Sequence, residues 1–143
     1  MNIMKKSKSK LFIGLSALLI SFSSLANVAV IVNSGNSAAI DEGDISRIFL
    51  GKVKNFSSGE KVTLINLEYN QPTREEFEQK VLNKSASQVK AYWSKLMFSG
   101  KGKPPKELAT DKDILAFVAA NPGAIGYVAE GSVDGSVKVV KVF

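Results

Sequence analysis

The run VAVIVN, Val28 to Asn33, is apolar at nearly every position and rich in β-branched residues, the pattern of a strand covered on both faces. A polar loop, SGNSAAID, leads from it to a stretch in which Ile45, Ile48 and Phe49 mark one face of a short helix, closed at Gly51. KVTLINL, Lys61 to Leu67, reads as a second strand. Beyond NQPT, Phe77 and Val81 line a helix that carries Glu75, Glu76 and Glu78 near its start, where the helix dipole favours negative charge. The clearest periodicity comes next: Val89, Tyr92, Trp93, Leu96 and Met97 stand at i, i+3, i+4, i+7 and i+8, the stripe of a core-facing helix, with Ser85 or Ser87 as its cap. FSGKGKPP breaks the chain. Thr110 then opens a helix buried through Ile114, Phe117 and Val118, and Asn121-Pro122-Gly123 stops it. GAIGYVA and SVKVVKVF read as two final strands joined in a hairpin around Asp134-Gly135. The predicted order is β-α-β-α-α-α-β-β, a mixed α/β layer structure.

Ahead of the first strand lie MNIMKKSKSK, an apolar run from Leu11 to Phe22, and Ser24-Leu25-Ala26, with small residues where a signal peptidase reads. Residues 1–26 are thus expected to be a secretory signal peptide and 27–143 one domain. The apolar run, about 12 residues, falls short of the roughly 20 that a spanning helix needs. The expectation is a cleaved, soluble, periplasmic protein with no membrane anchor. Cleavage also changes the charge. The chain has 19 basic and 13 acidic residues, and removing Lys5, Lys6, Lys8 and Lys10 leaves 15 against 13. A nearly neutral domain lacks the concentrated basic face of a nucleic-acid binder. With no histidine and no cysteine, His-based nucleophilic chemistry, His-ligated zinc, disulfides and a lipidated thiol are excluded. No cofactor or metal is expected, and no enzyme.

IFLGKVKNF (Ile48 to Phe56), the turn into a helix at PTREEF, YWSKLMFSGKGKPP (Tyr92 to Pro105) and ILAFVAANPGAIGYV (Ile114 to Val128) stand in the order seen in phosphate-binding proteins of ABC importers. The domain resembles that family over nearly all of its length. The resemblance implies an α/β fold, a single mixed-sheet lobe like one domain of a type II periplasmic binding protein, where a full member closes two lobes on phosphate. It also implies a small anion such as phosphate as ligand and an ABC importer or membrane sensor as partner. One lobe leaves a ligand half exposed, so self-association or docking to another protein is expected to supply the second wall, across a face carrying Ser34, Asn36 and Thr73. In the family, the strand before the helix ends in arginine and the turn reads roughly Asp-Gly-Ser-Gly-Thr. Thr73 and Phe77 match that pattern. Asn66 or Leu67 stands at the arginine, Tyr69 at the aspartate, Gln71 at the serine and Pro72 at a glycine. The candidate ligand-binding residues are therefore Thr73 and Arg74, with Gln71, Asn70 and Asn66, joined by Ser34 and Asn36 from the loop after the first strand.

Taken by themselves, these residues leave two readings open. Thr73-Arg74-Glu75-Glu76 fits the capping box, so Thr73 is either a helix cap or a cap that also touches a ligand. Arg74 offers two parallel hydrogen bonds to an oxyanion, and its replacement by glutamine is expected to weaken binding while sparing the melting temperature. Tyr69 is a stacking ring or an exposed turn aromatic. Ser34 to Ser37 form a ligand loop or a plain connector. GKGKPP lacks the order of a nucleotide-binding loop. It is a solvated turn or, with Lys95, Lys101, Lys103 and Lys106, an attractor of an anionic ligand or acidic protein partner. Two functions remain: binding of phosphate or a related oxyanion for import or sensing, and a protein-interaction or accessory sensor module that uses the scaffold without a phosphate site.

Overall fold

A computed structural model describes residues 27–143, and the expected signal peptide lies outside the described residues. The elements are β1 (Val28–Asn33), α1 (Glu42–Phe49), β2 (Thr63–Leu67), α2 (Pro72–Lys80), α3 (Ala86–Phe98), β3 (Lys106–Leu108), α4 (Asp111–Ala120), β4 (Ala124–Ala129), a 3₁₀ turn at Glu130–Ser132 and β5 (Val137–Val142). They build a five-stranded sheet in the order β3-β2-β4-β1-β5. β2 runs parallel to both β3 and β4, whereas β1 is antiparallel to β4 and β5. β1 is buried at all six positions, which agrees with its unbroken apolar run.

Two expectations are corrected here. The last two strands do not form a hairpin, because β1 lies between them and pairs with each. A turn motif around Asp134-Gly135 is present, with the Ser136 amide donating to Asp134 at 2.9 Å, but the 3₁₀ turn before it carries the chain past the end of β1. Phe143 then closes on Val28 through reciprocal amide–carbonyl bonds of 3.0 and 2.8 Å. The second correction is β3, which the sequence pattern does not show. Lys-Glu-Leu is too short for a period of two to register, and it is a strand only because β2 offers it a parallel edge at Ile65–Leu67.

Neighbouring positions of β4 face opposite layers. At Gly126 a Cβ would lie 2.6 Å from Ile65 Cγ2 and 3.1 Å from Ile114 Cγ2, so the bare backbone is what lets α4 approach. Tyr127, one residue on, points the other way. Its ring stacks on Phe77 of α2 at 3.8 Å and meets Phe49 of α1 edge-on at 5.8 Å, a packing that adds specific aromatic attraction to the burial of three large rings. Helix starts follow local chemistry: Asp41 with Asp44, and Ser85 with Gln88, form capping boxes, and Thr110 accepts from the Asp113 amide. Of the α3 stripe, Val89 and Trp93 are buried, but Met97 is 54% exposed. It overhangs a groove instead of entering the core.

Candidate functional site

The turn between β2 and α2 is built by its own backbone. The Gln71 amide donates to the Glu68 carbonyl at 3.3 Å, and Asn70 takes φ = 72°, a left-handed conformation that asparagine tolerates better than most residues. Gln71 Nε2 donates to the Ala109 carbonyl at 3.0 Å, and the Glu68 amide to the Leu108 carbonyl at 3.0 Å, fastening the turn to the β3 segment. Pro72 follows as the first helical residue, a position where its missing N–H costs nothing. The cap of α2 is therefore Gln71, whose side chain makes no capping bond to the helix, and Thr73 lies inside the helix. The capping box expected at Thr73–Glu76 does not form; Glu76 pairs with Lys80 at 3.0 Å. The Arg74 and Glu75 amides both donate to the Gln71 carbonyl. Pro72 has no amide hydrogen, so Thr73 supplies the one first-turn N–H left for an anion.

Arg74 is not the exposed cation expected from the sequence. Its side chain is 7% exposed and three of its five N–H donors are engaged: Nε to Glu78 Oε1 at 2.5 Å, and Nη1 to the Leu67 carbonyl at 2.8 Å and to Glu107 Oε1 at 2.7 Å. Burial alone would lower the guanidinium pKa, but the hydrogen bonds to Glu78 and Glu107 prevail and hold it above its ordinary value. Two carboxylates thus compete with any incoming oxyanion for the guanidinium, while Lys90 is a second cation on the same groove. The second oxygen of Glu78 is buried without a hydrogen-bond partner. Beside this network, Asn66 is buried and its Oδ1 accepts from the Tyr127 hydroxyl. Burial pushes the Tyr127 pKa well above the ordinary tyrosine range, against the smaller opposing pull of Arg74.

A groove of about 280 Å³ opens at this end of β2, with Asn66, Tyr69 and Arg74 on one side and Trp93 and Met97 of α3 on the other. Tyr69, 41% exposed, lies under both the Arg74 guanidinium at 5.7 Å and the Lys90 ammonium at 5.4 Å. Asn70, Gln71 and Thr73 stand next to this groove in sequence but do not line it. Ser34 and Asn36 are elsewhere. The carboxyl end of β1 is paired with the amino end of β4, which is also level with the amino end of β2. The Ser34–Asn36 loop and the start of α2 thus occupy opposite ends of the sheet, about 15 Å of strand apart, and no single face carries Ser34, Asn36 and Thr73. Asn36 is buried, its carbonyl oxygen Oδ1 accepting from the Ala38 amide at 2.8 Å, while Ser34 is exposed. Three residues central to the geometry escaped the sequence reading: Glu78, Glu107 and Tyr127. The Arg74–Glu78 spacing of four on a helix was the one available sign.

The sheet order, with α4 on one face and α1 to α3 on the other, is that of one lobe of a periplasmic-binding-protein fold. No family model and no curated protein sequence matches the chain. Solved structures do. An ABC-type phosphate transport receptor from Vibrio cholerae aligns with TM-score 0.63 and 22% identity, over 82% of this chain and 47% of that one. A phosphate ABC transporter substrate-binding protein from Clostridium perfringens, solved with bound phosphate, gives 0.64 and 22% over 82% and 46%. PstS from Borrelia burgdorferi gives 0.59 and 15% over 80% and 47%. The chain spans about half the length of these structures, and at such identities the likeness is one of fold. Their names are those of binding proteins, not enzymes.

Proposed function

We propose that this chain is a non-enzymatic binding module of the cell envelope, exported and freed of residues 1–26, which uses a single solute-binding lobe to dock a protein partner. The observation that carries this reading is the Arg74 network. At the helix start where the lobe would present an anion site, the arginine is buried among Glu78, Glu107 and the Leu67 carbonyl. Apolar side chains exposed nearby, Tyr69 and Met97 on the groove and Phe98 at 91% exposure, support a surface that another protein covers.

A second reading, binding of phosphate or a related oxyanion for ABC import or sensing, is favoured by the fold shared with phosphate receptors and by the free Thr73 amide at the start of α2. Calorimetry separates the two. The protein purified from the periplasmic fraction, whose mass should place its N-terminus near Asn27, is expected to give no heat with phosphate, sulfate or small carboxylates, while crosslinking in cells yields a discrete hetero-complex. Phosphate binding at micromolar concentration without such a complex would reverse the choice.

A further inference from the structure

On the other side of Trp93 lies a cleft of about 360 Å³ that the groove beside Arg74 does not include. Four lysines line it: Lys54, Lys61, Lys101 and Lys103. Its floor is apolar, with Val62, Leu64, Leu96 and the Trp93 indole. No carboxylate is among its lining residues, and none of the four lysines takes part in an ion pair among the described residues.

The four cations come from three separate segments, each fixed in place. The turn after α1 is bound by the Leu50, Gly51 and Lys52 amides to carbonyls of that helix, and Gly51, at φ = 70°, presses on the indole so closely that a Cβ there would lie 2.9 Å from Trp93 Cη2. Lys61 opposes Asn55 in an antiparallel bridge, and the Val62 amide donates to the Lys54 carbonyl at 2.9 Å. The turn after α3 is closed by the Lys101 amide on the Leu96 carbonyl at 2.9 Å, and a Cβ on Gly102 would stand 3.6 Å from Trp93 Cζ3. A helix C-terminus favours a lysine through its dipole. That preference explains lysines on two of these turns, but not the convergence of three segments around one apolar floor with no acidic counterpart.

We infer that this cleft is the docking site for an acidic peptide segment of the partner protein, one that places an apolar side chain against Trp93 and carboxylates on both sides of it. The inference rests on the docking function proposed above and names its surface. Charge complementarity selects an acidic occupant. Lysines are mobile point charges suited to carboxylates spread along a chain, where a buried phosphate site would favour the planar fork of arginine.

Trp93 is the single tryptophan of the chain, so its fluorescence reports on the cleft. The exported protein is titrated with a short peptide bearing glutamates on both sides of a central leucine. Saturable quenching or a spectral shift is expected, weakening about tenfold or more when the glutamates become glutamines and falling steeply with salt. The combined variant Lys54→Gln/Lys61→Gln/Lys101→Gln/Lys103→Gln should lose this response with an unchanged melting temperature, the pair Lys101→Gln/Lys103→Gln should lose part of it, and Lys112→Gln on α4 should lose none. An unresponsive Trp93, or a lysine variant that binds the peptide as well as the parent, overturns the inference. So does lysine-dependent binding of phosphatidylglycerol vesicles or of inorganic phosphate in place of the peptide, which would make the cleft a lipid or free-anion site. A crosslinked complex that persists in the four-lysine variant would remove this cleft and leave the docking function standing; phosphate heat without any complex would remove the docking function itself.

Discussion

Trp93 separates two clefts of similar size that treat their charges in opposite ways. In the groove beside β2, Arg74 is buried together with Glu78 and also pairs with the exposed Glu107, so much of its charge serves the fold. In the cleft behind it, Lys54, Lys61, Lys101 and Lys103 are exposed and make no ion pair among the described residues. The lesson is that a cation near a helix start does not make an anion site. What matters is how far the protein has already satisfied it, and in Arg74 Nε and Nη1 are committed to Glu78, Glu107 and the Leu67 carbonyl.

The sharpest way to break this contrast is Arg74→Gln. It leaves the buried Glu78 without its ion-pair partner, and stripping one partner from a buried pair typically costs about 3 to 5 kcal/mol. Urea denaturation should show a loss of that size; a neutral result would mean that Arg74 is an accessible ligand after all. Next in size is Tyr127→Phe, which leaves the Asn66 oxygen without its donor and should cost about 1 to 3 kcal/mol. It also carries a pH signature. The folded-state pKa of Tyr127 is raised above the ordinary value of about 10, so above that pH the unfolded chain releases a proton that the folded protein keeps. The contribution is full below about pH 10 and is lost as pH rises beyond it, by up to about 1.4 kcal/mol per pH unit. Denaturation at pH 9 and pH 11 should therefore show a smaller alkaline loss in Tyr127→Phe than in the parent.

Smaller effects sharpen the comparison. Ser85→Ala removes a side chain that caps α3 and should cost about 1 kcal/mol. Thr73→Ala removes a hydroxyl that caps nothing, so thermal unfolding should place it within about 0.5 kcal/mol of the parent. Equal losses in the two would restore Thr73 as a cap. Smallest of all, Lys103→Gln should stay within about 0.5 kcal/mol of the parent in the same measurement. A larger loss would show that this lysine, like Arg74, serves the fold.

Periodicity and punctuation suffice for the long elements. The unbroken apolar run of β1, the Val89–Trp93 spacing in α3, and the caps at Ser85 and Thr110 are patterns within a few residues, and the chain displays them directly. The lysines of GKGKPP were equally visible as charges. Strand order was not, because β5 pairs with β1, about a hundred residues away in sequence, while β1 and β2 occupy the two edges of the neighbouring β4. Neither was β3, three residues long, whose Glu107 is the second carboxylate on Arg74. Thr73 shows the limit at close range: the capping pattern was present, but Pro72 and the anchoring of Gln71 to Ala109 start the helix at an earlier residue. The charges could thus be counted from the sequence, while their availability was decided in the tertiary structure. Burial and pairing depend on which segments the sheet brings side by side, and no local pattern encodes that.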